Sequence, residues 1–477
     1  MKLISTPRSL PFLPLTLTFT LLLMLFHHQL AGAAPAFTQG SDGSQAESGF
    51  VYIQFQPDVS RAAAEGTVAQ MNAVLIDWLA PLHIAKVQMG AASGKASFQT
   101  LWALAANEPS IQFVEPGATV MGNPLNNDGL NNDPYDETND EPNDETDDEE
   151  VGYNDPSLKV ADESYGLTQV HALEAWDIIT GTPEVIIAVL DSGINAEHPE
   201  FADRVIMGYD YINDDDDPTD DHGHGSHVSG IAAAALNNGQ GAAGICPNCS
   251  ILAVKVLNEN NAGTWWSAAQ GILYAVDNGA RVINLSLGAN VPSNTIKSAI
   301  DYAQEHDVLI VAAAGNSASS TNFYPAAYEG IMGISATNSS DELWGLSNRG
   351  AYIDVAAPGH LIYGPNKTLD DEYGGYVYKS GTSMAAPFVT GLAGLLFSQD
   401  PTRTAADVVN IITQSADDLG DPGWDDFYGH GRINVWAAVT YDIEQKSGTT
   451  TLPPPVAHED ITAQTGKTLY MPLLRRN

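Results

Sequence analysis

The chain has 477 residues, with 19 basic side chains set against 59 acidic ones for a formal charge of −40. That length allows two or three domains and a large buried core. Charge of this sign is repelled by nucleic-acid phosphates and by anionic lipid, so neither is expected as a partner.

At the N-terminus, Lys2 and Arg8 precede an apolar run over 10–26, and Ala31, Gly32 and Ala33 supply small residues for cleavage. Residues 1–33 therefore read as an export signal. A membrane anchor is the rival reading, but Pro11 and Pro14 interrupt the run and no second span follows. The mature protein is expected to be soluble, secreted and without a membrane span.

Residues 49–120 have the pattern of a small α+β unit. A strand is expected over 49–56, a helix over 60–74, an extended stretch over 84–89, a second helix over 97–106 and a closing strand over 111–115. Residues 121–153 differ in kind: from Asp128 to Glu150 there are 12 acidic residues and no basic one. Self-repulsion and the lack of apolar groups predict a disordered linker there.

From 154 to 441, short Val/Ile-rich runs alternate with helical stretches. The runs at 185–190, 251–256, 282–287, 308–313, 331–336 and 352–355 read as buried parallel strands. Helices are expected between and after them, at 266–278, 295–305 and 403–415. Such alternation argues for an α/β fold with a doubly wound, mostly parallel sheet. Residues 442–477 are too few for another core and read as a tail. Cys246 and Cys249 are the only cysteines. Two thiols cannot supply a structural zinc site alone, and in an oxidising compartment a local disulfide closing a turn is expected.

Three segments of the 154–441 span carry chemistry. Asp191 stands in Val-Leu-Asp-Ser-Gly-Ile, His224 in His-Gly-Ser-His-Val-Ser-Gly, and Ser383 in Gly-Thr-Ser-Met-Ala-Ala-Pro. A weak alcohol nucleophile needs an adjacent base, and that base needs an orienting carboxylate. Asp191 follows a strand, where open α/β sheets bind ligands. His224 opens a helix whose dipole disfavours imidazolium, which suits a base that begins neutral. Ser383 also opens a helix, and Pro387 is expected in its first turns, where a missing amide costs little. Each segment has a blander reading taken alone: an Asx turn, a histidine metal site with His222 and His227, a serine N-cap. The absence of a His-Glu-x-x-His helix weighs against zinc.

Together, in the order Asp, His, Ser, the segments resemble those of the subtilases, the subtilisin-type serine peptidases. The resemblance implies that His224 is the base, His227 a packed neighbour and His222 a loop residue. It makes Asn316, in Ala-Ala-Ala-Gly-Asn-Ser, the oxyanion donor beside the Ser383 amide. It makes Ser286, Leu287 and Gly288 an edge that pairs with an extended substrate, with Ala313 and Gly315 in the opposite wall of the cleft. Residues 49–120 then resemble the family's ferredoxin-like propeptide, which inhibits the enzyme until it is cut away. Two loops resemble calcium sites: Glu200 with Leu236, Asn238, Gln240 and Ala242, and a second with Asp215, Asp217 and Asp220. The expectation is a secreted, monomeric, self-processing endopeptidase acting broadly on proteins or peptides. No cofactor is expected in catalysis, and calcium would be structural. The rivals are an inactive binding scaffold and a calcium-loaded acidic surface protein.

Overall fold

In this computed structural model, the described residues are 46–89, 103–105, 108–122, 152–369 and 374–441. The expected export signal, nearly all of the acidic linker and the tail lie outside them. The N-terminal unit runs β1 (Ala46–Phe55), α1 (Arg61–Gln70), β2 (Ala73–Leu79), β3 (Ile84–Met89) and β4 (Ile111–Gly122). Its strands pair antiparallel in the order β4-β1-β3-β2. Successive residues of a strand face opposite ways. Val51, Ile53 and Phe55 therefore meet Ala64 and Val68 of α1, while Tyr52 joins the core of the larger domain.

Two expectations for this unit need correction. The helix stops at Gln70 because Asn72 turns left-handed at φ 57°, and Ala73 already opens β2. The closing strand does not end at Glu115 or at residue 120 but runs to Gly122. The expected helix at 97–106 lies mostly outside the described residues.

The larger domain begins with α2 (Ala161–Gln169) and α3 (Ala172–Trp176), which lead into β5 (Ile186–Asp191). Strands β6 (Val205–Asp210) and β7 (Ser250–Lys255) flank α4 (His224–Ala233). Then come β8 (Ala262–Thr264), α5 (Trp265–Asp277), β9 (Val282–Leu285), β10 (Leu287–Gly288) and α6 (Asn294–Glu305). Strands β11 (Leu309–Ala313), β12 (Met332–Thr337) and β13 (Val355–Pro358) complete the main sheet. A hairpin of β14 (Ile362–Pro365) and β15 (Tyr376–Lys379) precedes α7 (Thr382–Gln399), α8 (Ala405–Ser415) and α9 (Val435–Val439).

The main sheet is parallel throughout, in the order β13-β12-β11-β9-β5-β7-β6. Strands such as β11 and β12 are buried along their whole length, because helices cover both faces. Helices α4 and α7 pack together in one core; α5 and α6 pack together in the other. The doubly wound parallel sheet is therefore present. The expected strand at 352–355 is displaced to Val355–Pro358, and β6 and the β14–β15 hairpin join the list of strands. The Cys246–Cys249 disulfide is formed and buried. Among the described residues, no helix is long and apolar enough to cross a membrane.

Candidate active site

Asp191 is the last residue of β5, beside β7 and β9 at the carboxyl ends of the central strands. The turn after it is tight because α4 comes close: a Cβ on Gly225 would lie 2.1 Å from the Gly193 carbonyl. That approach brings His224, the first residue of α4, onto Asp191. Its Nδ1 is 2.6 Å from Asp191 Oδ1, with both side chains wholly buried. His224 Nε2 is buried and meets no partner among the described residues.

The first turn of α4 is fixed by a residue expected elsewhere. Asp220 Oδ1 accepts from Ser192 Oγ, the His222 amide and the Gly223 amide at 2.8, 3.0 and 2.7 Å. Its Oδ2 accepts from the Ser226 amide and hydroxyl at 2.9 and 2.8 Å. Ser192 Oγ in turn accepts from the Gly225 amide at 3.0 Å. Asp220 and Ser192 together therefore satisfy the Ser226 and Gly225 amides that the glycine cap cannot, and Asp220 braces the turn carrying His224. Lys255, also buried, ties the same loop by donating to Ser192 O at 2.6 Å, Asp221 Oδ1 at 2.7 Å and Leu257 O at 2.9 Å.

The other two histidines stand apart from this chemistry. His227 is fully buried, and burial holds its pKa well below the ordinary value. Its Nε2 donates to Ile362 O at 3.0 Å and Val377 O at 3.1 Å, which ties α4 to the hairpin. Burial also lowers the pKa of His222, whose ring lies 6.3 Å from that of His224.

Ser383 opens α7 next to Asn316. The Thr382 amide and hydroxyl both donate to Asn316 Oδ1 at 2.9 Å, and the Gly315 amide donates to the Thr382 hydroxyl at 3.0 Å. A backbone amide can only donate, so this network fixes which amide atom of Asn316 is oxygen. Its Nδ2 is buried with no acceptor among the described residues. Ser383 Oγ donates to Ser286 O at 3.3 Å. The acid–base leg is thus closed, while the serine hydroxyl is turned toward Ser286. Ser286 does further duty. Pro387 lies beyond the first turn of α7, so the Ser383 carbonyl lacks its helical donor, and Ser286 Oγ supplies one at 2.9 Å.

The cleft beside Ser383 contains the chain's own β4. Gly122 pairs with Leu287 and Met121 with Gly288 on one side. On the other side, Thr119, Val120 and Met121 pair with Thr264, Gly263 and Ala262 of β8. Leu287 and Gly288 thus form a pairing edge as expected, and the second edge, β8, was not anticipated. Ala313 ends β11 and Gly315 follows it, against Thr382.

A carboxylate–imidazole pair, a serine at a helix start and an unpartnered amide donor now stand around a cleft that grips extended chain by its backbone. Residues 182–431 match the family described as the Subtilase family. This chain belongs to the subtilase family. It is 44% identical to the thermophilic serine proteinase of Bacillus sp. (strain AK1) over 58% of this chain and 67% of that one. It is 41% identical to thermitase of Thermoactinomyces vulgaris over 60% of this chain and 99% of that one. The crystal structure of fervidolysin from Fervidobacterium pennivorans, described as a keratinolytic enzyme related to subtilisin, has the same fold. Its TM-score is 0.69 at 24% identity, covering 86% of this chain and 62% of that one. This subtilase is a serine-type endopeptidase.

The first calcium loop of this subtilase is filled by hydrogen bonds. Glu200 Oε1 accepts from the Ala242 amide at 2.8 Å and Tyr376 Oη at 2.7 Å, and Oε2 accepts from Asn238 Nδ2 at 2.8 Å. Asn238 Oδ1 accepts from the Gln240 amide at 2.8 Å. Burial pushes the Glu200 carboxyl up to about 7, against the lowering effect of the hydrogen bonds from Tyr376, Ala242 and Asn238. Engaged in this way, the side chains of Glu200 and Asn238 are not turned out as cation ligands in this structure. In the second loop Asp220 is excluded, since both of its oxygens are committed to the His224 turn. Asp215 and Asp217 each use one oxygen within their own turn, accepting from the Asp217 amide at 3.0 Å and Thr219 Oγ1 at 2.6 Å. Their remaining oxygens are the hard donors that suit calcium.

Proposed function

We propose that this subtilase is a secreted endopeptidase that cuts its own N-terminal unit away and then hydrolyses protein chains through Ser383, His224 and Asp191. Rotation of the Ser383 hydroxyl from Ser286 O toward His224 Nε2 readies the nucleophile, a tightening common when substrate binds. His224 takes the proton as Ser383 Oγ attacks the carbonyl, and Asp191 stabilises the imidazolium. The negative oxygen of the tetrahedral intermediate is held by Asn316 Nδ2 and the Ser383 amide, which has no intrahelical acceptor. His224 returns the proton to the leaving amine, and water releases the acyl-enzyme. The free oxygens of Asp215 and Asp217 would hold calcium in a structural role, outside the reaction.

The observation that carries the proposal is β4 in the cleft. It is an extended strand held by backbone pairing on both sides, as a substrate would be. Pairing of this type reads main chain, which supports breadth at most substrate positions. It also supports inhibition by the N-terminal unit, because the same strand occupies the cleft. Export rests on the Lys2-to-Ala33 pattern. The test gives purified mature protein casein with and without a serine-directed phosphonate. Hydrolysis should be lost with phosphonate and in Ser383→Ala; hydrolysis indifferent to both would end the proposal.

A further inference from the structure

We infer that Asn261 makes this peptidase select glycine at the second residue before the bond it cuts, an inference that rests on the serine-peptidase reading above. Register defines that position. Gly122 pairs with Leu287, and the preceding residue of that edge, Ser286, has its carbonyl 3.3 Å from Ser383 Oγ. In a substrate strand of the same register, the residue after the one at Gly122's place falls opposite Ser286 and presents its carbonyl to the nucleophile. Gly122 therefore marks the second residue before the cut.

The wall at that position is the Asn261 side chain. The Gly122 amide donates to Asn261 O at 2.7 Å, which draws the two backbones together. A Cβ on Gly122 would lie 2.1 Å from Asn261 Oδ1, 2.3 Å from its Cγ and 2.3 Å from its Nδ2. All three atoms of the amide group lie over the place of the missing side chain, so any larger residue there must displace the Asn261 side chain. With β4 in place Asn261 is 5% exposed, and packing and its backbone turn set the amide there, since its Oδ1 meets no donor among the described residues. Its backbone is left-handed at φ 56° in a turn closed by Asn261 N to Asn258 O at 2.8 Å and Asn258 N to Ala262 O at 2.9 Å.

The neighbouring positions differ. Met121 is 43% exposed and constrains little, whereas Val120 is wholly buried among apolar residues. The cleft thus reads a buried aliphatic side chain, tolerates the next residue, and then requires glycine.

The test uses mature enzyme and fluorogenic peptides that differ only at the second residue before the cut. Overpacking a walled position predicts kcat/KM about 30-fold higher for glycine than for alanine. Asn261→Gly, which keeps the left-handed backbone without strain, should bring the ratio within about 3-fold by raising turnover of the alanine peptide. Equal turnover of both peptides by wild type, or an unchanged ratio in Asn261→Gly, overturns the inference. If wild type cleaves neither peptide, the peptidase reading has failed, and a second measurement decides the glycine requirement. In full-length Ser383→Ala protein, adding Gly122→Ala should release the end of β4, with amide exchange at Val120 and Met121 about 10-fold faster or more. Unchanged protection there overturns the inference.

Discussion

Glu115 joins the N-terminal unit to the peptidase domain through one carboxylate. Its Oε1 accepts from Ser293 Oγ at 2.6 Å and the Thr295 amide at 2.9 Å, and Oε2 accepts from the Asn294 amide at 2.7 Å. These groups are the N-cap and first turn of α6, where a negative charge also meets the positive end of the helix dipole. Each hydrogen bond to a charged group is worth about 1.5–3 kcal/mol, but three on one carboxylate do not add. Glu115→Ala should therefore weaken the association by about 2–4 kcal/mol, which is roughly 30- to 1000-fold in an inhibition constant. Ser293 Oγ remains to cap Ile296 N at 3.4 Å, so the loss falls on docking and spares the helix. The assay is inhibition of mature enzyme by the separately made segment 46–122, wild type against Glu115→Ala, with circular dichroism to check that both segments are folded. Glu115→Gln, which keeps length and loses charge, should fall between them. Equal inhibition by a folded Glu115→Ala segment would refute the reasoning.

Asn316→Ala should lower turnover by about 10²–10³-fold with KM little changed, the loss known for such a donor in subtilisin. Asp220→Ala, which frees the turn carrying His224, should cost about 10²-fold in kcat while the Ser383 phosphonate adduct still forms slowly; full activity would show that the turn holds without it. Burial raises the Asp354 carboxyl from 3.8 to about 7 against one lowering hydrogen bond from the Gly333 amide. Its folded-state pKa lies above the unfolded one, so its contribution to stability is complete below about pH 4 and is lost as pH rises toward 7. The loss is on the order of a few kcal/mol. Asp354→Asn should flatten the fall in melting temperature between pH 5 and pH 8, and an unchanged fall would contradict this. Calcium should raise the melting temperature of wild type and of Glu200→Gln alike, but not that of the Asp215→Asn, Asp217→Asn double variant. A loss of the calcium effect in Glu200→Gln would restore the first loop as a cation site.

What the sequence made legible follows from how local each signal is. Strands β5, β7, β9, β11 and β12 are short apolar runs buried on both faces, and their boundaries came within about two residues. The strand β6 was not found because it is an edge: Ile206 and Met207 are exposed, and the run loses its uniform apolar character. Asp191, His224, Ser383 and Asn316 each sit in a seven-residue or shorter motif that carries its own turn or helix start. Asp220 misled because its neighbours from Asp214 to Asp221 form an acidic run, and composition alone cannot separate a solvated carboxylate from one saturated by five donors. The hydrogen bond from Tyr376 to Glu200 was hidden for a similar reason, since the two residues lie far apart along the chain. The second cleft edge escaped notice because β8 is three residues long and, among the described residues, pairs only with β4 and one isolated bridge at Leu257. Asn261 gave one signal that sequence reading can use: Asn258 to Asn261, Asn-Glu-Asn-Asn, marks a tight turn between β7 and α5.

The most direct measurement is the site of phosphonate labelling, read by mass spectrometry of peptides from the mature enzyme. A single adduct on Ser383, absent in His224→Ala and matching the loss of casein hydrolysis mole for mole, is the expected result. Labelling of a different residue, or hydrolysis that persists once Ser383 is fully modified, would contradict the account.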